Sequence, residues 1–332
     1  MILRQLFDKT SSTYTYLIAD SRSKEALLID PVREQIDRDI QLIEELGLIL
    51  RYTIETHLHA DHITAGGFLR RRFGSKTVTA ARAGANCSDL FVEHMDEITI
   101  GATTIEVRRT PGHTSGCVSY ILRNREQIYA FTGDALMIRG CGRTDFQEGS
   151  AATLYASVHE QLFTLPDHTI VYPGHNYKGM LSSTIGEEKQ FNPRLKISNN
   201  KEQFIEIMKN LNLSPPKKLA IAVPANQHCG LDPDMRDQQQ EELSNIGLYR
   251  IIDVRTPEEF TGALGHIEGA ELVPLTLLTE RAVEWNKQKA LLLVCHSGER
   301  SNKAYASLKD MGFHDITTLK GGMLAWCQQK ST

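Results

Sequence analysis

Short runs of apolar residues, separated by polar stretches, follow one another along the first half of the chain. They predict β-strands at residues 13–18, 26–29, 49–54, 77–80, 105–109, 118–122, 127–131 and 169–172. Between the second and third of these, Ile36, Ile40, Ile43 and Leu46 recur at helical spacing and predict an amphipathic helix. This pattern predicts a layered architecture built on sheets.

The pattern changes near residue 230. Residues 192–230 mix proline and lysine with a short helix, and the polar stretch 231–244 is typical of a linker or a first helix. Beyond it we expect a strand at 249–254, a helix at 257–260, a strand at 290–294 and a helix at 300–311. This alternation favours a small parallel α/β domain, so we divide the chain into domains 1–231 and 232–332.

Length and charge narrow the classes of function. The chain has 332 residues, enough for about two domains, and a formal net charge of -4 from 37 Lys+Arg and 41 Asp+Glu. With this balance of charges the chain has no excess of positive charge with which to bind nucleic acid. No stretch approaches the ~20 apolar residues of a membrane span. No apolar run of signal length follows Met1, so we expect a cytoplasmic protein that acts on small molecules.

The chain has six cysteines, without a CxxC pair or a dense framework. They are Cys87, Cys117, Cys141, Cys229, Cys295 and Cys327. This scatter suits a reducing compartment, in which at least one of them should be a working thiol.

Histidine and aspartate residues with metal-binding character recur in the first half. They are His57, His59, Asp61, His62, His113, Asp134 and His175. A single histidine is usually a core or surface residue, but four of these occur within six positions and the other three adjoin glycine. Each group ends a predicted strand or opens a loop, where ligands can converge on one site. The sequence therefore predicts a metal centre.

The run 57–62 (HLHADH), followed by the three single ligands, resembles the metallo-β-lactamase superfamily over about two thirds of the chain. The resemblance implies an α/β fold, an αβ/βα sandwich with the metal site at one edge of its sheets. In dinuclear members His57, His59 and His113 would hold one metal ion, Asp61, His62 and His175 a second, and Asp134 would bridge them. Ligand counting alone therefore favours a dinuclear zinc thioester hydrolase of the glyoxalase II type. The lack of a recognisable extra helical substrate domain weakens that alternative.

A narrower resemblance leads to different chemistry. Residues 131–146 (FTGDALMIRGCGRTDF), 60–64 and 222–226 are similar to the glutathione persulfide dioxygenase family. The resemblance implies one Fe(II) per chain, held by His57, His113 and Asp134, with open positions for substrate sulfur and dioxygen. The remaining candidates, His59, Asp61, His62 and His175, would then orient ligands and waters through hydrogen bonds.

That family oxidises glutathione persulfide with O2 and releases sulfite and glutathione. The resemblance places Arg143 and Tyr177 at the tripeptide, whose two carboxylates call for a cationic contact. Without the resemblance, Arg143 would be read as a surface ion-pair partner and Tyr177 as a capping aromatic. Cys141, near the metal segment, is either a sensor thiol or a quiet buried cysteine, and we favour the second.

A second constellation follows the predicted strand 290–294. The loop Cys295, His296, Ser297, Gly298, Glu299 and Arg300 leads into a helix. A thiol at a helix N-terminus is surrounded by backbone N–H groups, which lower its pKa and can hold an anion above it. Arg300 closes the loop and adds positive charge. We therefore expect Cys295 to be a nucleophile toward sulfane sulfur.

This loop, with residues 253–255, 265–270 and 321–326, resembles the rhodanese family from about residue 232 onward. The resemblance implies that Cys295 becomes a persulfide by taking sulfur from thiosulfate or a similar donor, with Arg300 and the loop residues assisting. Thiosulfate and glutathione could yield glutathione persulfide and sulfite, or the reverse. We expect structural roles for Asp253 and Arg255.

Together the two resemblances predict a persulfide dioxygenase fused to a rhodanese, two activities that share glutathione persulfide. Besides the zinc hydrolase, a protein that only carries sulfur for a partner remains an alternative, and the sequence leaves a homo-oligomer open. Six other histidines lack ligand neighbours and are expected to be solvated or capping residues: His94, His159, His168, His228, His266 and His314.

Overall fold

A computed structural model describes residues 1–211, 213, 218–231, 249–319 and 321–330, with side chains described up to residue 327 in the last helix. It has two compact units, Met1–Asp232 and Pro233–Thr332. Apart from Leu231, the predicted linker 231–244 lies outside the described residues. No helix within the described ranges is long and apolar enough to span a membrane.

Two six-stranded sheets form the first unit. The first contains β1 (Ile2–Asp8), β2 (Thr13–Ala19), β3 (Glu25–Ile29), β4 (Ile49–Ile54), β5 (Lys76–Ala80) and β6 (Leu90–Val92), in that order. The second contains β7 (Glu97–Ile100), β8 (Thr103–Arg109), β9 (Val118–Asn124), β10 (Gln127–Gly133), β11 (Ile170–Pro173) and β12 (Ser183–Thr184), also in sequence order. Both sheets are mixed, because β3 to β6 run parallel after an antiparallel start and β10 pairs in parallel with β11.

The helices of this unit are α1 (Ile36–Glu45), α2 (Gly66–Phe73), α3 (Ala151–Ser157), α4 (Ile185–Phe191), α5 (Lys201–Lys209) and α6 (Leu219–Gln227). The predicted amphipathic helix is confirmed as α1, which buries Ile36 and Ile43. α2 packs against β4 and β5.

Strand alternation produces two cores in this unit. In β9, Tyr120 and Leu122 belong to a core shared by strands of both sheets, while Ile121 between them belongs to a second core. That second core contains Leu154 of α3 and Phe204 of α5. Because side chains of a strand point alternately to opposite faces, the second sheet is covered on both sides. The layered αβ/βα sandwich expected from the sequence is confirmed.

Some elements were not predicted. β1 pairs with β2 along its whole length, from Ile2 opposite Ala19 to Asp8 opposite Thr13. Most of its residues are only half-buried, so its apolar pattern is weak. The described residues of the segment 192–230, where the sequence indicated one short helix, include both α5 and α6, and α4 precedes this segment.

The second unit contains β13 (Arg250–Asp253), α7 (Pro257–Phe260), β14 (Glu271–Leu272), α8 (Leu278–Ala282), β15 (Leu291–Val294), α9 (Glu299–Asp310), β16 (Ile316–Thr318) and α10 (Gly322–Lys330). Its sheet has the order β14-β13-β15-β16, with every pair parallel. All four residues of β15 are buried, as expected for a central parallel strand. The predicted small parallel α/β domain is confirmed.

Candidate metal centre and thiol loop

The predicted metal ligands follow the ends of four strands in the first unit. His57 lies just after β4, His113 after β8, Asp134 directly after β10 and His175 shortly after β11. The interstrand hydrogen bonds fix the backbone up to these points, and the loops that follow deliver the side chains. Gly174 makes this approach possible, since a Cβ there would lie 2.9 Å from Oδ1 of Asp134.

Three of these side chains form a compact donor set. One donor atom each from His57, His113 and Asp134 lies within 4.8 Å of the others. Nε2 of His113 is 3.6 Å from Oδ2 of Asp134, and the rings of His57 and His113 are 4.9 Å apart between centroids. Two imidazoles and one carboxylate at this spacing fit a divalent transition metal that keeps open positions.

The hydrogen bonds of His113 determine which of its nitrogens faces a metal ion. Nδ1 lies 2.7 Å from the carbonyl oxygen of Arg143, which can only accept a hydrogen bond. Nδ1 must therefore carry the proton, and the lone pair remains on Nε2, toward Asp134. Gly142 leaves room for this ring, because a Cβ there would lie 2.7 Å from Nδ1.

His57 is oriented by a two-step chain of hydrogen bonds. The hydroxyl of Thr56 donates to Oδ2 of Asp30 at 2.8 Å, and Nδ1 of His57 lies 2.9 Å from the same hydroxyl oxygen. Since the hydroxyl has only one proton, Nδ1 of His57 must donate to it. The lone pair of His57 is thus on Nε2 as well, so both imidazoles are prepared as ligands.

His175 is held between two carboxylates. Nδ1 lies 2.7 Å from Oδ1 of Asp134, and Nε2 lies 3.0 Å from Oδ2 of Asp61. Burial lowers the pKa of His175, but Asp134 and then Asp61 outweigh burial and hold it well above the usual range. Each ring nitrogen of His175 therefore faces a carboxylate oxygen.

Asp61 and His62 are joined to the same network. Nδ1 of His62 lies 2.9 Å from Oδ2 of Asp61. The hydroxyl of Thr13 is 3.1 Å from that oxygen and 3.1 Å from Nε2 of His175. Burial raises the pKa of Asp61, but His175 and His62 reverse this and hold it well below the usual range. The carboxylate is therefore charged and satisfied.

His59 faces a different pair of carboxylates. Its Nε2 lies 3.1 Å from Oδ1 of Asp30 and 3.5 Å from Oε2 of Glu55. Burial lowers the pKa of His59, but Asp30 and Glu55 outweigh burial and raise it to about 10. Within the described part of the chain, Nδ1 of His59 and Nε2 of His62 lack a hydrogen-bond partner. These orphaned nitrogens are the feature that best suits a second metal ion.

A groove of about 740 Å³ lies beside this centre. Its lining includes His57, His113 and Asp134 together with Arg143 and Tyr177. The structure thus places both predicted substrate contacts beside the donor set. A groove of this volume is within the usual range for a small-molecule ligand.

The two predicted substrate contacts, Arg143 and Tyr177, differ in how far their side chains are already engaged with other residues. Nε of Arg143 pairs with Oδ1 of Asp145 at 2.6 Å, and its guanidinium lies 4.4 Å from the ring centroid of Phe146. Tyr177 is 72% exposed and stacks on His175 with the ring planes 3° apart. A substrate carboxylate at Arg143 would therefore share the guanidinium with Asp145.

Sequence reasoning missed the residue that anchors the loop formed by residues 57–62, here named the histidine loop. The side-chain amide of Asn226, in the last turn of α6, donates to the carbonyl oxygens of His59 and His62 at 2.9 Å each. Its oxygen accepts the backbone N–H of Thr64 at 2.8 Å. The stretch 222–226 was noted only as a family match, and an asparagine in a proline-containing stretch gave no sign of these bonds.

Two of the six cysteines form a disulfide, Cys87–Cys229. Cys229 follows α6, and its carbonyl oxygen accepts the backbone N–H of Gly67 at 2.9 Å. The scattered cysteine pattern suited a reducing compartment and did not predict this bond, because cysteines 142 residues apart meet only through the fold.

Cys141 is buried beside Met208, with 3.7 Å between the two sulfur atoms. Burial raises the pKa of its thiol to about 11. It is therefore the quiet buried cysteine that we favoured over a sensor thiol.

In the second unit, Cys295 directly follows β15 and α9 begins four residues later, at Glu299. The thiol is fully buried, and the backbone N–H of Gly298 donates to its sulfur at 3.1 Å. The hydroxyl of Ser301 lies 3.5 Å from the same sulfur. Burial raises the pKa of the thiol, but hydrogen bonds from Ser301, Gly298 and Ser297 outweigh it, and the net shift is downward. The geometry favours a thiolate nucleophile.

The charged members of this loop have partners of their own. Arg300 binds Glu259 through both terminal nitrogens, at 2.7 and 2.5 Å. Nδ1 of His296 lies 3.8 Å from Oε1 of Glu259, and Glu299 pairs with Lys303 on α9. Sequence reasoning did not single out Glu259. Its only signal was its place three residues after Thr256, which marks a helix start.

The structural role expected for the strand-end pair agrees with the structure. Arg255 is 1% exposed and binds both oxygens of Asp253 at 2.7 to 3.0 Å. It also donates to the carbonyl oxygens of Glu259 and Gly265. This buried pair connects β13 to the segment that faces the thiol loop.

Three of the remaining histidines are not simply solvated. His159 stacks on Tyr155 at 4.0 Å between ring centroids, and His266 stacks on Phe260 at the same distance. Nδ1 of His94 accepts the backbone N–H of Arg109 at 3.3 Å. Their roles in this structure are local packing and capping.

Comparison with known proteins gives matches to both units. The metallo-beta-lactamase superfamily matches residues 9–175, and the rhodanese-like domain matches residues 236–329. The mouse protein named persulfide dioxygenase ETHE1, mitochondrial, is 53% identical over 232 residues, which cover 70% of this chain and 89% of that protein.

Solved structures of related proteins also match this chain. The crystal structure of ETHE1 from Myxococcus xanthus matches with a TM-score of 0.67 and 53% identity, over 69% of this chain and all of that one. A metallo-beta-lactamase from Staphylococcus aureus matches over 96% of this chain and 97% of its own, with a TM-score of 0.65 and 26% identity.

Proposed function

Because this chain belongs to the persulfide dioxygenases of the metallo-beta-lactamase superfamily and carries a C-terminal rhodanese-like domain, we propose that it oxidises glutathione persulfide and also transfers sulfane sulfur. The first activity belongs to the donor set of the N-terminal unit, and the second to Cys295. O2 would be the oxidant, one water molecule would be consumed, and the products would be sulfite, glutathione and two protons.

The observation that best supports the dioxygenase is the set of His57, His113 and Asp134, each with its metal-facing atom prepared. Hydrogen bonds place the lone pair of both imidazoles on Nε2. Two histidines and one carboxylate with open positions are the ligands typical of non-haem Fe(II) oxygenases. A bound Fe(II) ion would supply the redox chemistry by which dioxygen reacts with the persulfide sulfur.

The other residues of the network have supporting tasks. His175 donates to Asp134 and to Asp61, which fixes the ligand carboxylate. Burial raises the pKa of Asp134, but His175 and then His113 and His57 overcome this and hold it far below the usual range. The ligand is therefore ionised before a metal ion binds, and its second oxygen is occupied by a proton donor.

The groove positions the substrate. Tyr177 offers an exposed ring, and Arg143 offers a cation at the groove wall. We assign the two carboxylates of glutathione to this side, with the persulfide sulfur directed toward Asp134 and its neighbours. The ion pair with Asp145 makes Arg143 a shared contact, so removal of Arg143 should weaken substrate binding more than it slows the reaction.

In the second unit, the Cys295 thiolate would attack the outer sulfur of thiosulfate. The sulfur–sulfur bond of the donor breaks, sulfite leaves with the electron pair, and Cys295 becomes a persulfide. The thiolate of glutathione then attacks the outer sulfur, which yields glutathione persulfide and restores the Cys295 thiolate. Both steps run in reverse if sulfite is abundant.

The proposal is tested by dioxygen uptake on addition of glutathione persulfide to anaerobically prepared protein loaded with iron, beside the same protein loaded with zinc. Rapid uptake with sulfite release in the iron form alone is the expected result. If neither form takes up dioxygen, the dioxygenase assignment fails. Sulfur transfer is measured separately, as sulfite formed from thiosulfate and glutathione.

A dinuclear zinc thioester hydrolase is the second candidate. The orphaned nitrogens of His59 and His62 favour it, because a second metal ion would satisfy them. Metal content decides between the two: about one iron per chain supports the dioxygenase, and two zinc ions per chain with thioesterase activity support the hydrolase.

A further inference from the structure

Glu259 lies against the thiol loop (residues 295–300) and has no role in the activities proposed above. Its carboxylate binds both terminal nitrogens of Arg300, and Oε1 also lies 3.8 Å from Nδ1 of His296. A bidentate contact of this kind fixes the plane of the guanidinium as well as its position. Arg300 was expected to give the loop a positive charge, but that charge is balanced by a carboxylate.

The position of Glu259 is set by several bonds within the fold. Oε2 accepts the backbone N–H of Thr256 at 3.0 Å, as part of a capping box that begins α7. The carbonyl oxygen of Glu259 accepts a hydrogen bond from the buried Arg255, which is itself paired with Asp253. The backbone of Glu259 is therefore hydrogen-bonded to a buried ion pair, and its carboxylate is held by Thr256 and Arg300.

This arrangement decides which charges an incoming sulfur donor meets. A donor at Cys295 interacts favourably with backbone N–H groups such as that of Gly298, and with Arg300. It also meets the negative charge of Glu259, which cancels much of the attraction to Arg300. Because the interaction energy of two charges is proportional to their product, this cancellation costs a dianion more than a monoanion.

We propose that Glu259 is a specificity-determining residue of the thiol loop: it holds Arg300 and balances its charge, so that the loop disfavours dianionic sulfur donors and favours donors with one negative charge at the sulfur end. This inference rests on the sulfur transfer proposed above. The favoured donors are then persulfides and thiosulfonates, with thiosulfate a weaker substrate.

The test compares two donors that carry the same sulfane sulfur and differ in charge. Thiosulfate is a dianion and methanethiosulfonate is a monoanion, and glutathione is the acceptor for both. The variant Glu259→Gln keeps the size of the side chain and an acceptor oxygen, while Glu259→Asp keeps the charge. Glu258→Gln removes an exposed carboxylate from the same helix and is the matched control.

We expect Glu259→Gln to lower KM for thiosulfate about tenfold and KM for methanethiosulfonate only about threefold, with kcat changed less than KM. Glu259→Asp and Glu258→Gln should keep the wild-type ratio of the two KM values. An equal fall for both donors would overturn the proposal, since it would mean that Arg300 is merely released. If KM rose for both donors in Glu259→Gln and returned to the wild-type value in Glu259→Asp, the proposal would also be overturned, because Glu259 would then only position Arg300.

A binding measurement separates this inference from the activity on which it rests. Cys295 is alkylated in the presence of sulfate, a dianion, or methanesulfonate, a monoanion, neither of which donates sulfur. Mass spectrometry of the Cys295 peptide then reports protection without turnover. Stronger protection by sulfate in Glu259→Gln than in the wild type supports the role of Glu259 even if no sulfur is transferred, and unchanged protection refutes it.

Discussion

At the scale of single residues, the hydroxyl of Thr56 determines how His57 can bind a metal ion. It donates a hydrogen bond to Asp30, so Nδ1 of His57 must donate to the hydroxyl oxygen. Thr56→Val keeps the shape of the side chain but removes this acceptor. We expect the affinity for Fe(II) to fall about 10- to 100-fold, the usual effect of losing such a supporting bond.

Competition with a coloured iron chelator measures this affinity. The matched control is Thr53→Val, because Thr53 is also buried and its hydroxyl has no hydrogen-bond partner within the described residues. Equal losses in the two variants would show that the effect is general to this region rather than due to the hydrogen bond to His57.

The reactivity of Cys295 depends on another single hydroxyl. The hydroxyl of Ser301 donates to the carbonyl oxygen of Gly298 at 2.9 Å, and its oxygen lies 3.5 Å from the sulfur of Cys295. Burial raises the pKa of the thiol, and the contact with the Ser301 side chain is the largest of the influences that lower it. Ser301→Ala should therefore raise this pKa, and the thiolate should form only at higher pH. The pH dependence of Cys295 alkylation reports the midpoint, with Ser307→Ala on the same helix as the control. A midpoint unchanged by Ser301→Ala would show that backbone N–H groups alone stabilise the thiolate.

At the scale of elements, the disulfide fixes the end of α6, which carries the anchor of the histidine loop. Cys229 follows Asn226 by three residues, and Cys87 lies after β5. A crosslink that closes so long a loop typically contributes about 2–4 kcal/mol to the free energy of unfolding.

Reduction by a phosphine, or the variant Cys87→Ser, should therefore lower the melting temperature of the N-terminal unit by about 5–15 °C. Calorimetry of the full chain gives this value, and Cys327→Ser serves as the control because Cys327 is not in the disulfide. An unchanged melting temperature would mean that the hydrogen bonds of Asn226 and Gly67 hold the segment without the disulfide.

The elements also show how far the sequence could lead. Strands with a continuous apolar run, such as β9 and β10, were predicted within two residues of their ends because both faces of the strand are buried in a core. β1 was missed because its pairing with β2, rather than its own half-buried side chains, makes it a strand. The pattern of apolar residues within one segment does not show which other strand will pair with it.

In the candidate site, too, some residues could be predicted from the sequence and others could not. The donor residues could be predicted because histidine and aspartate next to glycine are distinctive in sequence. Their hydrogen-bond partners could not, since Thr56, Asn226 and Glu259 are ordinary residues whose roles arise from contacts made only in the fold. The disulfide was hidden for the same reason.

At the scale of the whole molecule, the two proposed activities share glutathione persulfide. Thiosulfate and glutathione should therefore support dioxygen uptake by the iron-loaded chain, because Cys295 would supply the substrate that the metal centre consumes. His57→Ala should abolish this uptake by removing a metal ligand, and Cys295→Ser should abolish it by removing the nucleophile.

The two variants can be told apart by their residual activities. Cys295→Ser should still take up dioxygen when glutathione persulfide is added directly, and His57→Ala should still release sulfite from thiosulfate. An oxygen electrode and a sulfite assay report both. If Cys295→Ser lost uptake of added glutathione persulfide as well, the sites would not act independently.

Mixing the two variants tests whether the shared intermediate is released. Glutathione persulfide made at Cys295 of one chain can reach the metal centre of another only through solution. If it is released, an equal mixture of His57→Ala and Cys295→Ser should recover uptake from thiosulfate and glutathione, with a lag that shortens as protein concentration rises. Failure of the mixture, with the wild type active and each variant keeping its own activity, would mean that the intermediate is passed on without release.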